Sequence, residues 1–197
     1  MTSARRFSQA ISEGDGISVI AVVTDAEAAF TAAAQGAEGL IVAGSVPGLP
    51  EATPLPILWR GEGPPAAAHA AGADACVLAA APLHDDGDHL ERLHSEASEL
   101  GLDCVVQVRD EEELEVVLER LDPDILLLSG DRPDGDEGPL DAVLRLLGDV
   151  PAGKLAVADV AVSERGEIAE LERAGVDAVI VAAASVAALV GAAPPEV

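Results

Sequence analysis

The chain has 197 residues, of which 49% are hydrophobic, so it is long enough to bury the core of a full domain. Its 36 Asp and Glu residues outnumber its 11 Lys and Arg residues and give a formal net charge of -25. A surface of this charge repels nucleic acids and anionic membranes, so we expect neither as a partner.

The acidity has two explanations, and both stay open at this point. Hydrated carboxylates keep a protein soluble in a high-salt cytoplasm, whereas a GC-rich genome favours Ala and Arg over Lys without any salt. Residues 1–12 lack the apolar core of a signal peptide, and no apolar run reaches 18 residues. We therefore expect a soluble, cytoplasmic protein.

Eight short apolar stretches predict buried β-strands, and segments with helical spacing separate most of them. The strands are expected at residues 17–23, 40–43, 56–59, 75–80, 104–108, 125–129, 154–159 and 178–182. The helices are expected at residues 25–35, 64–71, 88–100, 110–121, 139–147 and 164–174. A further short helix over residues 3–11 would place Phe7 and Ile11 on one side.

Glycine and aspartate mark the ends of these elements. Gly101 ends one helix and Asp110 caps the next, on either side of the strand Cys104–Val108. Gly-Ala-Asp-Ala at residues 72–75 and Gly-Val-Asp-Ala at residues 175–178 repeat the same helix-to-strand junction. The recurrence indicates one structural unit used several times.

Strands that alternate with helices predict a parallel sheet, and the number eight favours a closed (β/α)8 barrel over an open doubly wound sheet. Pro47, Pro50 and Pro54 leave no room for a full helix in the segment 44–55. We therefore predict an α/β fold, a single small (β/α)8 TIM barrel over residues 1–197 with helix two reduced or missing.

No metal or cofactor site is predicted. Cys76 and Cys104 lie inside apolar strands, which indicates buried, reduced thiols rather than a disulfide or a zinc site. The acidic loop 131–138 lacks the pattern of a calcium-binding loop. Three histidines recur every five residues, a spacing that scatters them around a helix. They are His84, His89 and His94.

Four segments together resemble the indole-3-glycerol phosphate synthase family. They are S-V-I-A-V-V-T at 18–24, the stretch 99–121, P-D-I-L-L-L-S-G-D-R at 123–132 and A-G-V-D-A-V-I-V at 174–181. The resemblance implies a (β/α)8 barrel of tryptophan biosynthesis. It also implies a lyase reaction that closes an indole ring on a phosphorylated anilino-ribulose, with loss of CO2 and water.

Carried over by position, the resemblance also implies a largely substituted active site. Val22 and Thr24 occupy the positions of a catalytic glutamate and lysine of the family. Arg60 occupies the position of the lysine that is proposed as general acid. Arginine cannot readily give up a proton. Gln107 stands for the catalytic glutamate and has its shape without its basicity.

The last three strands depart from the family pattern as well. Ser129-Gly130-Asp131-Arg132 replaces Asn-x-Arg, with the arginine one place late, and Asp159-Val160-Ala161 replaces Glu-Ser-Gly. Ala182-Ala183-Ala184 replaces Gly-Glu-Ser. Phosphate sites of such barrels use glycine-rich backbone in these loops, so the resemblance implies that phosphate binding is lost.

Candidate site residues are taken from the strand ends, where barrel enzymes do their chemistry. Arg60, Gln107 and Asp159 are the candidate catalytic residues, and Trp59, Ser129 and Arg132 the candidate substrate-binding residues. Two alternatives stay open: Arg60 and Asp159 can simply form a charge pair, and Trp59 can belong to the core.

The functional prediction is a non-catalytic relative of indole-3-glycerol phosphate synthase that binds a small-molecule ligand or a protein partner. The alternative is an active barrel enzyme, either a diverged lyase of tryptophan biosynthesis or an enzyme with another small substrate. The candidate residues include no obvious general base with a partner, which favours the non-catalytic alternative. No oligomeric state is predicted.

Overall fold

The computed structural model describes residues 6–14, 16–80, 88–131 and 137–190. Its strands are β1 (Ser18–Val22), β2 (Gly39–Val42), β3 (Ile57–Trp59), β4 (Ala75–Ala79), β5 (Asp103–Val108), β6 (Ile125–Ser129), β7 (Leu155–Asp159) and β8 (Ala178–Ala182). They form one closed parallel barrel in sequence order, and β8 pairs with β1 from Ser18–Ala178 to Val22–Ala182. The prediction of a closed barrel is confirmed, and the open sheet is excluded.

Helices cover the outside of the barrel and one of its ends. They are α1 (Arg6–Ser12), α2 (Ala26–Ala34), α3 (Leu49–Ala52), α4 (Pro65–Ala70), α5 (His89–Glu99), α6 (Glu111–Arg120), α7 (Pro139–Leu147), α8 (Arg165–Ala174) and α9 (Val186–Leu189). The segment 44–55 holds α3, which has four residues. None of the helices described is both long and apolar enough to cross a membrane.

Local sequence signals explain where the helices begin. Asp25 Oδ1 accepts a hydrogen bond from the N–H of Ala28 at 2.8 Å, and Asp110 Oδ1 accepts one from the N–H of Glu113 at 2.8 Å. Each bond satisfies a donor that the first turn of a helix leaves unpaired. The predicted caps are confirmed, and the predicted boundaries of the eight strands agree with the structure to within one residue.

The repeated junction ties neighbouring strands together through its aspartate. Asp74 Oδ2 accepts a hydrogen bond from the N–H of Ile57 at 2.9 Å, and Asp177 Oδ2 accepts one from the N–H of Ala156 at 2.7 Å. Burial raises the pKa of Asp177 above its ordinary value, although this hydrogen bond opposes the shift. Each carboxylate thereby fixes the adjacent strand where that strand begins.

Alternate side chains of each strand fill the interior of the barrel. The interior cluster consists of Phe7, Ile11, Ile20, Ile41, Leu58, Ala75, Val105, Ile125, Leu127, Val157, Ala178 and Ile180. Phe7 and Ile11 come from α1, as the predicted amphipathic helix requires. The N–H of Ser8 donates to Asp103 Oδ2 at 2.8 Å, at the start of β5. Helix α1 therefore closes the amino-terminal end of the barrel.

The other side chains of the strands form a larger layer against the surrounding helices. Val106 of β5 and Leu126 of β6 belong to this layer, together with Leu114 of α6 and Val143 of α7. Burying both faces of a strand requires apolar residues throughout, which explains the continuous apolar runs of the sequence. The polar groups that remain lie at the strand ends.

Candidate functional site at the barrel mouth

The carboxyl ends of the strands form the mouth of the barrel, and four predicted site residues lie there. Each comes two positions after a member of the interior cluster, so its side chain lies on the interior side of its strand. The four are Arg60 after β3, Gln107 in β5, Ser129 at the end of β6 and Asp159 at the end of β7. The fold therefore brings these four predicted residues to one end of the barrel.

An ion pair between Arg60 and Asp159 crosses the mouth. Nη2 of Arg60 donates to Oδ2 of Asp159, and the two side chains are 32% and 19% exposed. Strands β3 and β7 are four positions apart in a ring of eight, so they lie on opposite sides of the barrel. The charge pair that the sequence allowed is thus present, and it spans the opening.

Ser129 adds a buried polar group beside this pair. It is the register partner of Asp159, its side chain is fully buried, and its Oγ has no hydrogen-bond partner among the described residues. A buried hydroxyl without a partner costs about 1–3 kcal/mol. A bound water or ligand at the mouth would supply the missing partner.

The backbone after Ser129 is closely packed. The N–H of Gly130 donates to the carbonyl oxygen of Asp159 at 3.2 Å. A Cβ at position 130 would lie 2.6 Å from the carbonyl oxygen of Pro139, at the start of α7. Glycine is required here because the start of α7 lies so close to the end of β6. The hydrogen bond from Gly130 to Asp159 also holds the neighbouring Ser129 in place.

Small apolar side chains occupy much of the rest of the mouth. Val22 at the end of β1 is 46% exposed, and its register partner Ala182 at the end of β8 is exposed as well. Gln107 is half-buried and pairs in register with the exposed Ala79 of β4. The mouth therefore has small apolar side chains at the ends of β1, β4 and β8 and polar side chains at the ends of β5, β6 and β7. Arg60 reaches Asp159 from the opposite side of the opening.

Trp59 lies in the layer between the strands and the helices, not in the interior of the barrel. It is 7% exposed, and a Cβ at Gly61 would lie 2.5 Å from its indole ring. Its Nε1 is buried without a hydrogen-bond partner among the described residues. This position favours the core interpretation of Trp59, since stacking on a ligand would require the ring to leave the layer.

Arg132, the remaining predicted substrate-binding residue, lies outside the described residues. The same holds for His84 and for most of the acidic loop 131–138. In the parts of the chain that the structure describes, no group of three or more His, Cys, Asp or Glu side chains is arranged to hold a metal ion.

Sequence reasoning missed a second arginine at this end of the barrel. Arg109 follows β5, and its Nη2 lies 3.1 Å from Oε1 of Glu113, with side-chain exposures of 22% and 12%. The backbone N–H of Arg109 also donates to Oε2 of Glu113 at 2.9 Å. The i, i+4 spacing of the two residues is the signal that would have found the pair.

Lysine, by contrast, is confined to the opposite end. The only lysine of the chain, Lys154, immediately precedes β7. Its Nζ donates to the carbonyl oxygen of Pro123 at 2.9 Å and lies 2.6 Å from Oδ1 of Asp122. No lysine therefore stands at the mouth of this barrel.

Fold and mouth together define the class: a (β/α)8-barrel protein with polar side chains at the carboxyl ends of its strands, where barrel enzymes hold their substrates. The family model of indole-3-glycerol phosphate synthase matches residues 66–189, more than half of the chain. The chain belongs to the indole-3-glycerol phosphate synthase family. Gln107, Ser129 and Asp159 lie within the matched region, and Trp59 and Arg60 precede it.

Curated relatives agree with this assignment. Indole-3-glycerol phosphate synthase of Salinibacter ruber is 35% identical over 114 residues, which are 58% of this chain and 41% of the relative. The enzyme of Nautilia profundicola is 32% identical over 133 residues, 66% of this chain and 50% of the relative. The chain thus spans about half the length of the curated relatives it matches.

Solved structures of other proteins show the fold alone. The N-acetylmannosamine-6-phosphate 2-epimerase from Clostridium perfringens superposes with a TM-score of 0.68 at 15% identity and covers 86% of both chains. Thiamine phosphate pyrophosphorylase from Pyrococcus furiosus gives 0.62 at 17% identity, over 94% of this chain and 91% of that one. Barrels of one shape host many activities, so function has to be argued from the mouth.

Proposed function

We propose that this chain binds a small-molecule ligand or a protein partner at the barrel mouth and does not catalyse indole-3-glycerol phosphate synthesis. The observation that carries the proposal is the ion pair of Arg60 and Asp159 across the opening. A substrate that binds at the centre of the mouth would first have to separate the two side chains.

The chemistry of the described mouth residues supports this proposal. General acid–base catalysis needs a group that can take up or give up a proton near neutral pH. The guanidinium of Arg60 does not give up its proton, and the amide of Gln107 does not titrate. Asp159 is a carboxylate, but its Oδ2 already accepts from Arg60. The only lysine of the chain is at the other end of the barrel.

The charge of the mouth also favours a ligand other than a phosphorylated sugar. Asp159 balances Arg60, and Glu113 balances Arg109. Charge-assisted hydrogen bonds from Arg or Lys strengthen the binding of a phosphate group, and both arginines named here already bind a carboxylate. With Val22 exposed on the facing side, the described mouth suits a ligand that is largely uncharged.

The decisive experiment is an assay of indole-3-glycerol phosphate formation with the purified protein, together with complementation of a bacterial strain that lacks the synthase. We expect no turnover and no growth without tryptophan. An authentic family enzyme, assayed in parallel, serves as the positive control. Turnover in the common enzyme range of about 1–10³ per second would refute the non-catalytic proposal.

Ligand binding is tested by thermal-shift screening of uncharged metabolites. A ligand of the mouth is expected to raise the melting temperature of the wild type and to lose this effect in Ser129→Ala. Glu115→Ala, on the exposed face of α6, is the matched control and should keep the full shift. A shift that is equal in both variants would place the ligand elsewhere.

A second candidate function is an active enzyme, either a diverged synthase or a barrel enzyme with another small substrate. It is favoured by the presence of Gln107, Ser129 and Asp159 inside the family match, at strand ends. Under this alternative, Asp159 would have to leave Arg60 when substrate binds. Turnover that Asp159→Asn abolishes would support it.

A further inference from the structure

Two cysteines lie side by side in the layer between strands and helices. Cys76 of β4 and Cys104 of β5 are direct register partners, and both are free thiols. Adjacent strands are about 4.7–4.9 Å apart, and the Cα atoms of a disulfide are usually about 4.4–6.8 Å apart. The backbone spacing of this pair therefore suits a disulfide bond.

The two thiols differ in access. Cys76 is 2% exposed and belongs to the apolar cluster. Cys104 is half-buried and lines a cavity of about 90 Å³ near the amino-terminal end of the barrel, together with Ser98 and Asp103. Its Sγ lies 3.7 Å from the carbonyl oxygen of His94. A small oxidant can thus reach Cys104 before Cys76.

We propose that Cys76 and Cys104 are a redox-modification site at which a peroxide closes an intramolecular disulfide. In the first step, the Cys104 thiolate attacks one oxygen of the peroxide, the O–O bond breaks, and hydroxide leaves. Cys104 becomes a sulfenic acid. The sulfur is oxidised by two electrons, and the peroxide is reduced.

In the second step, the Cys76 thiolate attacks the sulfur of Cys104. The S–O bond breaks as the S–S bond forms, and the departing hydroxide takes up a proton. Two thiols and one hydrogen peroxide give one disulfide and two waters. Before oxidation, a hydrogen bond from Cys104 holds the pKa of Cys76 below its ordinary value.

The proposal is independent of the barrel mouth. Cys76 and Cys104 are the second residues of their strands, whereas Arg60 and Asp159 lie at or beyond the carboxyl ends of theirs. Failure of either proposal leaves the other intact.

The experiment treats the native, reduced protein with a small excess of hydrogen peroxide and then blocks the remaining thiols under denaturing conditions. We expect intact mass to show the loss of two hydrogen atoms, and peptide mapping to show Cys76 joined to Cys104 within one chain. Dithiothreitol should restore both thiols. Retention of both free thiols, or a disulfide only between two chains, would overturn the proposal.

Two variants separate the roles of the cysteines. Cys76→Ser should stop at a sulfenic acid on Cys104, which dimedone traps, and Cys104→Ser should leave Cys76 unmodified at the same peroxide concentration. Faster oxidation of Cys76 in Cys104→Ser than of Cys104 in Cys76→Ser would contradict the order of steps. If a variant does not fold, the peptide map of the wild type still decides whether the disulfide forms.

Discussion

Arg60 and Asp159 are 99 residues apart in the sequence, and their ion pair joins opposite sides of the barrel across its mouth. Each side chain extends from its own strand end towards the other. The pair is held by the closure of the barrel itself, because β3 and β7 share no hydrogen bond. Breaking this ion pair should therefore lower the free energy of unfolding as well as open the mouth.

The strength of this pair can be measured by a double-mutant cycle with Arg60→Met and Asp159→Asn. We expect a coupling free energy of about 1 kcal/mol from urea unfolding, since residues in direct contact couple by roughly 0.5–3 kcal/mol. The matched control is the cycle for Arg120 and Glu91, which lie 3.9 Å apart with side-chain exposures of 41% and 37%. That coupling should be close to zero. Equal couplings in the two cycles would show that the mouth pair is no stronger than a surface pair.

The two phenylalanines of the chain give a second test. Phe7 of α1 is fully buried in the interior cluster, whereas Phe30 of α2 is 69% exposed. We expect Phe7→Ala to lower the free energy of unfolding by about 3–5 kcal/mol, because a large cavity opens at the end of the barrel. Phe30→Ala should change it by less than about 0.5 kcal/mol. A small effect of Phe7→Ala would mean that α1 is dispensable for the fold.

The cap of α6 provides a third prediction. Asp110→Ala removes the oxygen that accepts the N–H of Glu113, and we expect a loss of about 1 kcal/mol in the free energy of unfolding. Asp110→Asn keeps an oxygen in the same place and should be almost as stable as the wild type. The two variants are compared by urea denaturation. A similar loss in both would show that the charge, rather than the hydrogen bond, stabilises the helix.

The buried carboxyl group of Asp177 should make the free energy of unfolding depend on pH. Burial raises its pKa in the folded state, so the folded protein binds a proton here more readily than the unfolded chain does. The stability that this proton supplies is present at low pH and is lost as the pH rises through the folded pKa.

We therefore expect the wild type to gain stability relative to Asp177→Asn as the pH falls from about 6 to about 4. At pH 7 the variant should be at least as stable as the wild type, since its amide oxygen still accepts from Ala156. Asp74→Asn, at the equivalent junction, controls for the loss of one carboxylate. Parallel pH curves for the wild type and Asp177→Asn would contradict the prediction.

The net charge of -25 predicts a dependence on salt. Repulsion between the carboxylates extends over a Debye length of about 30 Å at 0.01 M salt and is screened to about 3 Å at 1 M. The melting temperature should therefore rise with NaCl over this range. A curve that stays flat would attribute the acidity to genome composition and remove the high-salt explanation.

The sequence by itself determined the order of the elements. Its caps, glycines and apolar runs act over a few residues, so boundaries such as those around Asp25 and Asp110 are visible without a fold. The number of strands then favoured a closed barrel. Because closure brings the carboxyl ends of all strands to one face, it predicted that Arg60 and Asp159 lie near each other.

Only the tertiary structure decided which way each side chain faces. Strands that are apolar on both faces carry no alternating pattern, so the sequence placed both Arg60 and Trp59 near the mouth and did not show that Trp59 faces the outer layer. Register between strands is equally invisible in one sequence, and it alone places Cys76 beside Cys104. These features depend on how the barrel closes, because closure fixes the tilt and stagger of all eight strands at once.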